Sequence, residues 1–368
     1  MVPGSGAGAT QPESGADSTW SQMTQIPTEE PQREQRQTGS RVTWYRTRID
    51  RDLLNELNQR SDLWGFLQTI GYLGLLTITG ATAWYVSIHW SWQVMLPILF
   101  VHGTCFAFMV NGFHELCHSS VFRSKWLNVF FLHVFSFLGW FNPVHFWASH
   151  SAHHKFALHP PDDQEVLFPT RFTLRDFLKS FINVWRLKGT LQATIRRSRG
   201  RVEGTWESAL FPPENADGRR RLFRWDRTLL VGHGSIIVAA LYFGLWQLLL
   251  VFTLAPFYGN WLFFLCNNTQ HVGLVDHTSD FRLNTRTIIL SPFVRFLYWH
   301  MNYHIEHHMY AAVPCYRLGR LHRAIAHDLP PLTVGLVETW RQIIQIMRQQ
   351  KADDTYQFRP QLPADVPA

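Results

Sequence analysis

Residues 94–118 read VMLPILFVHGTCFAFMVNGFHELCH, an apolar run that ends directly in two histidines, His114 and His118. About 20 apolar residues suffice to cross the hydrocarbon core as a helix. The i, i+4 spacing places both rings on one face. Two further clusters repeat the pattern: His150-Ser-Ala-His153-His154 and His304-Ile-Glu-His307-His308. Residues i, i+3 and i+4 of a helix project from one side, so each cluster can aim two or three imidazoles at one point. Core packing, interfacial histidines or a pH-sensing patch would not require three such repeats beside apolar stretches, and the clusters read as a metal site.

Eight imidazoles exceed what one zinc ion takes from protein, which implies two metals. Imidazole suits iron, copper, zinc and nickel alike, so the ligand type leaves the element open. A metal pair with few charged ligands, buried near a membrane, fits oxygen activation better than hydrolysis and favours iron.

Working outward, four long apolar segments run from about Trp64 to Ile88, Val94 to Phe113, Leu229 to Phe252 and Leu254 to Asn268. The first pair is joined by His89-Trp-Ser-Trp92, and Pro256 and Gly259 mark the expected turn of the second. A fifth stretch, Trp126 to Phe141, is too short to span and carries His133, so it is expected to lie in the interface or to dip in and return. The 16 Trp, 28 Phe and 15% aromatic content agree with a membrane environment. Mean hydropathy is only −0.11 because polar ends dilute it. Composition divides the chain into a disordered polar tail over 1–50, a membrane domain over 51–348 and a C-terminal tail over 349–368. No basic flank and apolar core open the chain, so no cleavable signal peptide is expected. The glycines of residues 4–8 lack the strand and helix of a nucleotide loop and belong to the tail. Cys105, Cys117, Cys266 and Cys315 form no CxxC pair and read as buried free thiols.

Charge sets an expected topology. The turns around Ser91 and Pro256 contain no Lys or Arg, whereas Arg41, Arg46, Arg48 and Arg51 precede the first segment and a long basic stretch, from Arg171 to Arg221, separates the second from the third. By the positive-inside rule both termini, the central loop and all three histidine clusters face the cytosol. The net charge of +7 is then topological and lipid-facing, and no nucleic acid is expected as a partner. A ninth histidine, His271 in Asn267-Asn-Thr-Gln-His271, falls at the cytosolic end of the fourth segment.

The pattern HxxxH, HxxHH, HxxHH at these membrane-relative positions, with Asn302-Tyr-His-Ile-Glu-His-His-Met309 followed by Val313-Pro314 and Leu318, resembles the membrane fatty acid desaturase and hydroxylase superfamily over about residues 60–335. The resemblance implies an all-α integral membrane fold: four transmembrane helices in two hairpins, interfacial helices, and a cytosolic cap carrying a non-haem di-iron centre. It implies two Fe2+ ions held by His114, His118, His150, His153, His154, His304, His307 and His308, with His271 as a further ligand and Asn267 acting through water. The implied reaction uses O2 and two electrons to oxidise an aliphatic C–H bond, foremost by desaturation of a fatty acyl or lipid-like chain. Hydroxylation, or oxidation of a small specialised metabolite, is the alternative within the same chemistry. The chain carries no haem, iron–sulfur or flavin motif, so electrons are expected from a separate donor of cytochrome b5 or ferredoxin type. The basic stretch from Arg186 to Arg227 is a candidate dock for an acidic donor or anionic headgroups. The membrane would be the endoplasmic reticulum in a eukaryote and the inner membrane in a bacterium.

Imidazole ligands need acceptors that fix their tautomers, and Glu115 and Glu306, inside the clusters, are candidates, as are Asp162, Asp163 and Asp276 nearby. His145 and His277 are candidates for lying close to the site, while His102, His159 and His300 read as structural. Phe106, Phe108, Met109, Phe113, Trp261, Phe264 and Leu265 are candidate channel walls that could equally face lipid or other helices. A histidine-based metal transporter would distribute ionisable groups through the membrane depth, but only His102 and His233 fall clearly within spans.

Overall fold

Several of the long helices, those starting at Asp62, Pro143, Val184 and Ala216, begin where a Ser or Asn side chain takes up an unsatisfied backbone N–H group. The computed structural model describes residues 42–166 and 172–364 and is mostly helical. After α1 (Arg51–Leu57), Ser61 caps α2 (Asp62–His89), its Oγ accepting from the Trp64 N–H at 3.4 Å. Next come α3 (Trp92–Ala107) and α4 (Met109–Cys117), joined at Phe108 into one apolar run of 26 residues. Among the described residues, Asp62–His89 and Trp92–Cys117 are the two helices long and apolar enough to cross a membrane. They lie side by side: the buried Tyr72 donates its hydroxyl proton to the Cys105 carbonyl at 2.9 Å.

The expected fifth stretch is α5 (Lys125–Leu138), and it is followed by α6 (Pro143–Phe156) at a bend of 105°, a broken span or a re-entrant loop. Trp140 takes a left-handed φ of 59° and Phe141 N donates back to Ser136 O at 2.8 Å, which closes α5. Asn142 then opens α6, accepting from Val144 N and His145 N at 3.1 and 3.2 Å. This corner turns the second histidine cluster back towards the first.

Helices α7 (Leu174–Lys179), α8 (Val184–Ser198) and α9 (Thr205–Leu210) lead to α10 (Ala216–Tyr242). The third segment was expected to run to Phe252 and to turn near Pro256; instead it stops at Tyr242. Gly244, with φ 69°, lets Leu245 N reach back to Ala240 O at 2.7 Å, the bond that terminates a helix with a left-handed glycine. The return is broken into α11 (Gln247–Val251), a 3₁₀ turn (Ala255–Phe257) and α12 (Trp261–Asn267), so the expected fourth helix is not continuous. Gly259 sits so close to α3 that a Cβ would meet Thr104 N at 2.5 Å, and no other residue fits there.

The remainder is α13 (Phe281–Asn284), β1 (Ile288–Ile289), α14 (Pro292–Leu297), α15 (His304–Met309), α16 (Leu318–Ile325), β2 (Thr333–Val334) and α17 (Gly335–Ala352). The two short strands pair in parallel, Ile288 with Thr333 and Ile289 with Val334.

Both tail boundaries move. Residues 42–50 pack on the fold: Trp44 stacks on Phe281 at 4.0 Å and Thr47 donates to Asp328 Oδ2 at 2.6 Å. Residues 1–41, the rest of the expected tail, lie outside the described residues. Past Ala352 the chain folds back, Phe358 N donating to Gly273 O at 2.8 Å and Gln357 Nε2 to Asp276 Oδ1 at 2.7 Å. These are amide contacts with no apolar period, so hydrophobic patterning could not reveal them.

Candidate metal centre

α4 ends in the first cluster, α6 carries the second, α15 the third, and the loop after α12 brings His271. The structure gathers all nine rings into two adjacent groups: His114, His118, His150, His154 and His307 in one, His153, His271, His304 and His308 in the other, each with its ligating nitrogens within 4.8 Å of one another. The expectation that each cluster aims at one point needs correction, because both HxxHH clusters divide. His150 and His154 face the first group while His153 faces the second; His304 and His308 face the second while His307 faces the first. Helix geometry is the reason: at about 100° per residue, i and i+4 nearly align while i+3 points well to one side of i+4.

The nitrogens sort by direction. His150 Nε2 lies 2.7 Å from His114 Nε2, 3.2 Å from His118 Nε2 and 2.9 Å from His154 Nε2. His304 Nε2 lies 2.9 Å from His271 Nε2 and 3.2 Å from His308 Nε2. Four Nδ1 atoms find acceptors outside the groups, whereas those of His304, His307 and His308 have no hydrogen-bond partner. His114 Nδ1 meets Glu115 Oε1 at 3.1 Å, His150 Nδ1 meets Glu165 Oε1 at 3.0 Å, and His153 Nδ1 meets Asp163 Oδ2 at 2.8 Å. His271 Nδ1 donates to the Asn284 carbonyl at 2.8 Å, which leaves a lone pair on its Nε2. Burial pushes His271 down to about 3, with His153 adding to the effect. Burial likewise holds His304, His307 and His308 well below the ordinary histidine range. These are neutral rings whose lone pairs converge, and one proton on a shared nitrogen can satisfy only one of its neighbours. Cations fit the two concavities, and the all-imidazole donor set is one that iron accepts.

The supporting carboxylates are only partly those expected. Glu115 is buried and faces its own group, with Oε1 also 3.7 Å from His307 Nδ1. Glu306 turns away: it accepts from Thr287 Oγ1 and lies 2.5 Å from His322 Nδ1, so it supports the base of α15 rather than any of the nine rings. Asp163 accepts from Leu158 N and, through Oδ1, from Glu165 N at 2.9 Å, tying the supports of His150 and His153 into one loop. Glu165 was missed, although a carboxylate two residues beyond Asp163 was a visible signal. Ser149 donates to its Oε2 at 3.1 Å and in turn accepts from Trp206 Nε1 at 3.2 Å. The Asn284 carbonyl had no sequence signal. Asp276 engages Gln357 instead of a histidine. Among the described contacts, the Asn267 side chain makes no hydrogen bond to the nine rings.

The remaining candidates fall mostly outside the site. His145 stacks against Phe211 at 6.2 Å, and His277 N donates to Leu158 O at 3.1 Å. Phe108 packs edge-on to Phe263 and Tyr298, at 6.0 and 5.9 Å. Phe264 stacks on Trp340 at 6.1 Å, so it serves packing against α17. The basic stretch is less free than its composition suggests. Arg196 bonds Glu207 at 2.5 Å, Arg197 bonds Asp226 at 2.7 Å, and Arg186 donates to Asn260 Oδ1 at 2.9 Å.

Residues 90–340, more than half of the chain, match the family described as Fatty acid desaturase. The chain belongs to the fatty acid desaturase family. It is also 24% identical over 259 residues to the sn-1 oleoyl-lipid 12-desaturase of Picosynechococcus sp., an alignment covering 64% of this chain and 70% of that protein. With its apolar helices, this desaturase-family chain is a membrane oxidoreductase whose histidine groups are suited to an iron-type site.

Proposed function

We propose that this protein is a non-haem di-iron oxidase of the membrane that uses O2 to oxidise an aliphatic C–H bond, acting as a desaturase of a fatty acyl or lipid-like chain. The observation that carries the reading is the division of nine imidazoles, seven of them buried, into two groups whose ligating nitrogens converge, with the Nδ1 atoms of His114, His150, His153 and His271 held by acceptors outside the groups. His114, His118, His150, His154 and His307 would hold one iron, and His153, His271, His304 and His308 the other. Iron bound there would supply the oxidising power that no ordinary side chain has. The chain's own contribution is to fix the tautomers through Glu115, Glu165, Asp163 and the Asn284 carbonyl, and to favour the neutral form by burial at His271, His304, His307 and His308. At His153 burial is outweighed by the hydrogen bond and charge of Asp163, and the ring is shifted upward. The relative's action on a lipid-borne oleoyl chain supports a lipid substrate here.

The reading includes a topology of four crossings in two hairpins, α2 with α3–α4 and α10 with α11–α12, and a cytosolic cap. No Lys or Arg occurs from residue 228 to 281, which supports placing the turn at Gly244 on the far side and both termini with the histidines in the cytosol. Electrons would come from a separate cytochrome b5 or ferredoxin-type protein.

The test is to purify the protein from iron-replete cells, measure its metals, and supply lipids, O2 and a reduced donor. Iron in both sites and a product lacking two hydrogens support the proposal. A product that gains one oxygen would make it a hydroxylase, and zinc in a single site would overturn it.

A further inference from the structure

We propose that residues 172–198, which lie in the basic central loop by sequence, form a re-entrant hairpin that enters the bilayer beside α3 and α12 and presents its outer face to lipid acyl chains. The inference rests on the reading of Trp92–Cys117 as a membrane span.

The hairpin consists of α7, a bend at residues 180–183, and α8. Its bend lies far from the histidine-bearing end of the span. Phe181 stacks on Phe100 at 5.4 Å, and Ile182 bridges antiparallel to Tyr258, whose ring lies against Gly103. Phe100 and Gly103 precede Cys117 by 17 and 14 residues, so at about 1.5 Å per residue the bend hangs roughly 20–25 Å below the end of that helix. The hydrocarbon core is about 30 Å thick, which places the bend inside it.

Two properties suit the segment to that depth. Irregular backbone within a membrane must have its polar groups satisfied by protein. At the bend, Gly259 N donates to Phe181 O at 2.8 Å, Asn260 N to Ser180 O at 2.9 Å, and Asn183 N to Phe257 O at 2.7 Å. The outward surface carries large exposed apolar side chains around the bend: Leu174, Leu178, Ile182, Val184 and Trp185 are 72%, 55%, 70%, 59% and 64% exposed. Such a contiguous row on a water-facing loop would be costly. Of the charges, Arg186 turns inward to Asn260 Oδ1 and the Pro256 carbonyl and Lys179 lies 3.5 Å from Asp176, while Arg175 and Lys188 are exposed and carry stems long enough to reach towards the interface.

All four native cysteines are buried, so an introduced cysteine can be labelled selectively. The full-length protein, carrying Ile182→Cys or, as a second variant, Val184→Cys, would be labelled with bimane and reconstituted into phosphatidylcholine vesicles. Val101→Cys on α3 serves as the membrane reference and Arg199→Cys as the aqueous one. Quenching of the Ile182→Cys and Val184→Cys labels by acyl-brominated lipid, to the extent seen at Val101→Cys and with little quenching by iodide, is the expected result. Quenching by iodide as at Arg199→Cys, while Val101→Cys still responds to brominated lipid, overturns the hairpin and leaves the span standing. Iodide quenching at Val101→Cys as well would remove the span and the hairpin together.

Discussion

The two imidazole groups are built by different means. The five-membered group draws His114 and His118 from the end of a long apolar helix and His150 and His154 from α6, so regular helix geometry sets four of its five rings. The four-membered group takes His271 from a loop, held by the Asn284 carbonyl at 2.8 Å, and His153 from the other face of α6, held by the buried Asp163. Both groups contain i, i+4 pairs on helices, His304 and His308 on α15 in the second, but only the second also depends on a ring carried by a loop. The second should therefore be the more sensitive to changes that touch no ring.

The largest effects should come from removing a ring. His154→Ala should empty the first group and His308→Ala the second, each leaving about half the metal and lowering turnover by at least about 100-fold, since metal sites depend steeply on every ligand. Metal content by plasma mass spectrometry and turnover with a reduced donor check this. Loss of all metal in both variants would show that the groups are one unit.

Next in size is the outer support. Asp163→Asn should weaken metal binding in the second group by about 10–100-fold. Glu165→Gln should do less to the first, because the Glu165 side chain is 28% exposed and partly solvated, whereas that of Asp163 is fully buried. Chelator competition on each variant measures the difference, and equal losses would contradict the contrast between the groups.

A smaller effect is expected at Arg286, whose buried guanidinium donates to the Thr269 and Val272 carbonyls on either side of His271. Arg286→Met would strand both acceptors at a cost of about 1–3 kcal/mol each. Thermal unfolding should show a lower Tm, with metal lost first from the second group. The smallest effect on metal should be at Glu306→Gln. Glu306 lies between two ring positions in sequence but faces Thr287 and His322, so stability should fall while metal content stays at the wild-type level. A large loss of metal there would reverse the assignment of Glu306.

What could be read from the sequence follows the same division. The repeated i, i+3, i+4 histidines and the apolar runs around them are local patterns, and the first helical hairpin lies where those patterns place it. The split of each HxxHH cluster is implicit in helix angles, because adjacent residues at i+3 and i+4 differ by about 100° in direction and cannot serve the same point. The turn at Gly244 is hidden because apolar residues continue through Leu245–Phe252 with Gln247 as the single interruption; a positive φ and one backbone bond end the helix there. Glu165, the Asn284 carbonyl and the fold-back of Gln357 and Phe358 act through contacts distant in sequence, and spacing carries no trace of those. The basic central stretch is legible only as composition: its charge is visible in the sequence, whereas the pairing of Arg196 with Glu207 and of Arg197 with Asp226, and the exposed apolar side chains from Leu174 to Trp185, are features of the fold.

The most direct test of the account is anomalous diffraction, collected at the iron absorption edge, from crystals of the purified protein. Two peaks per chain, one among His114, His118, His150, His154 and His307 and the other among His153, His271, His304 and His308, is the predicted result. A single peak, or peaks away from either group, would contradict it.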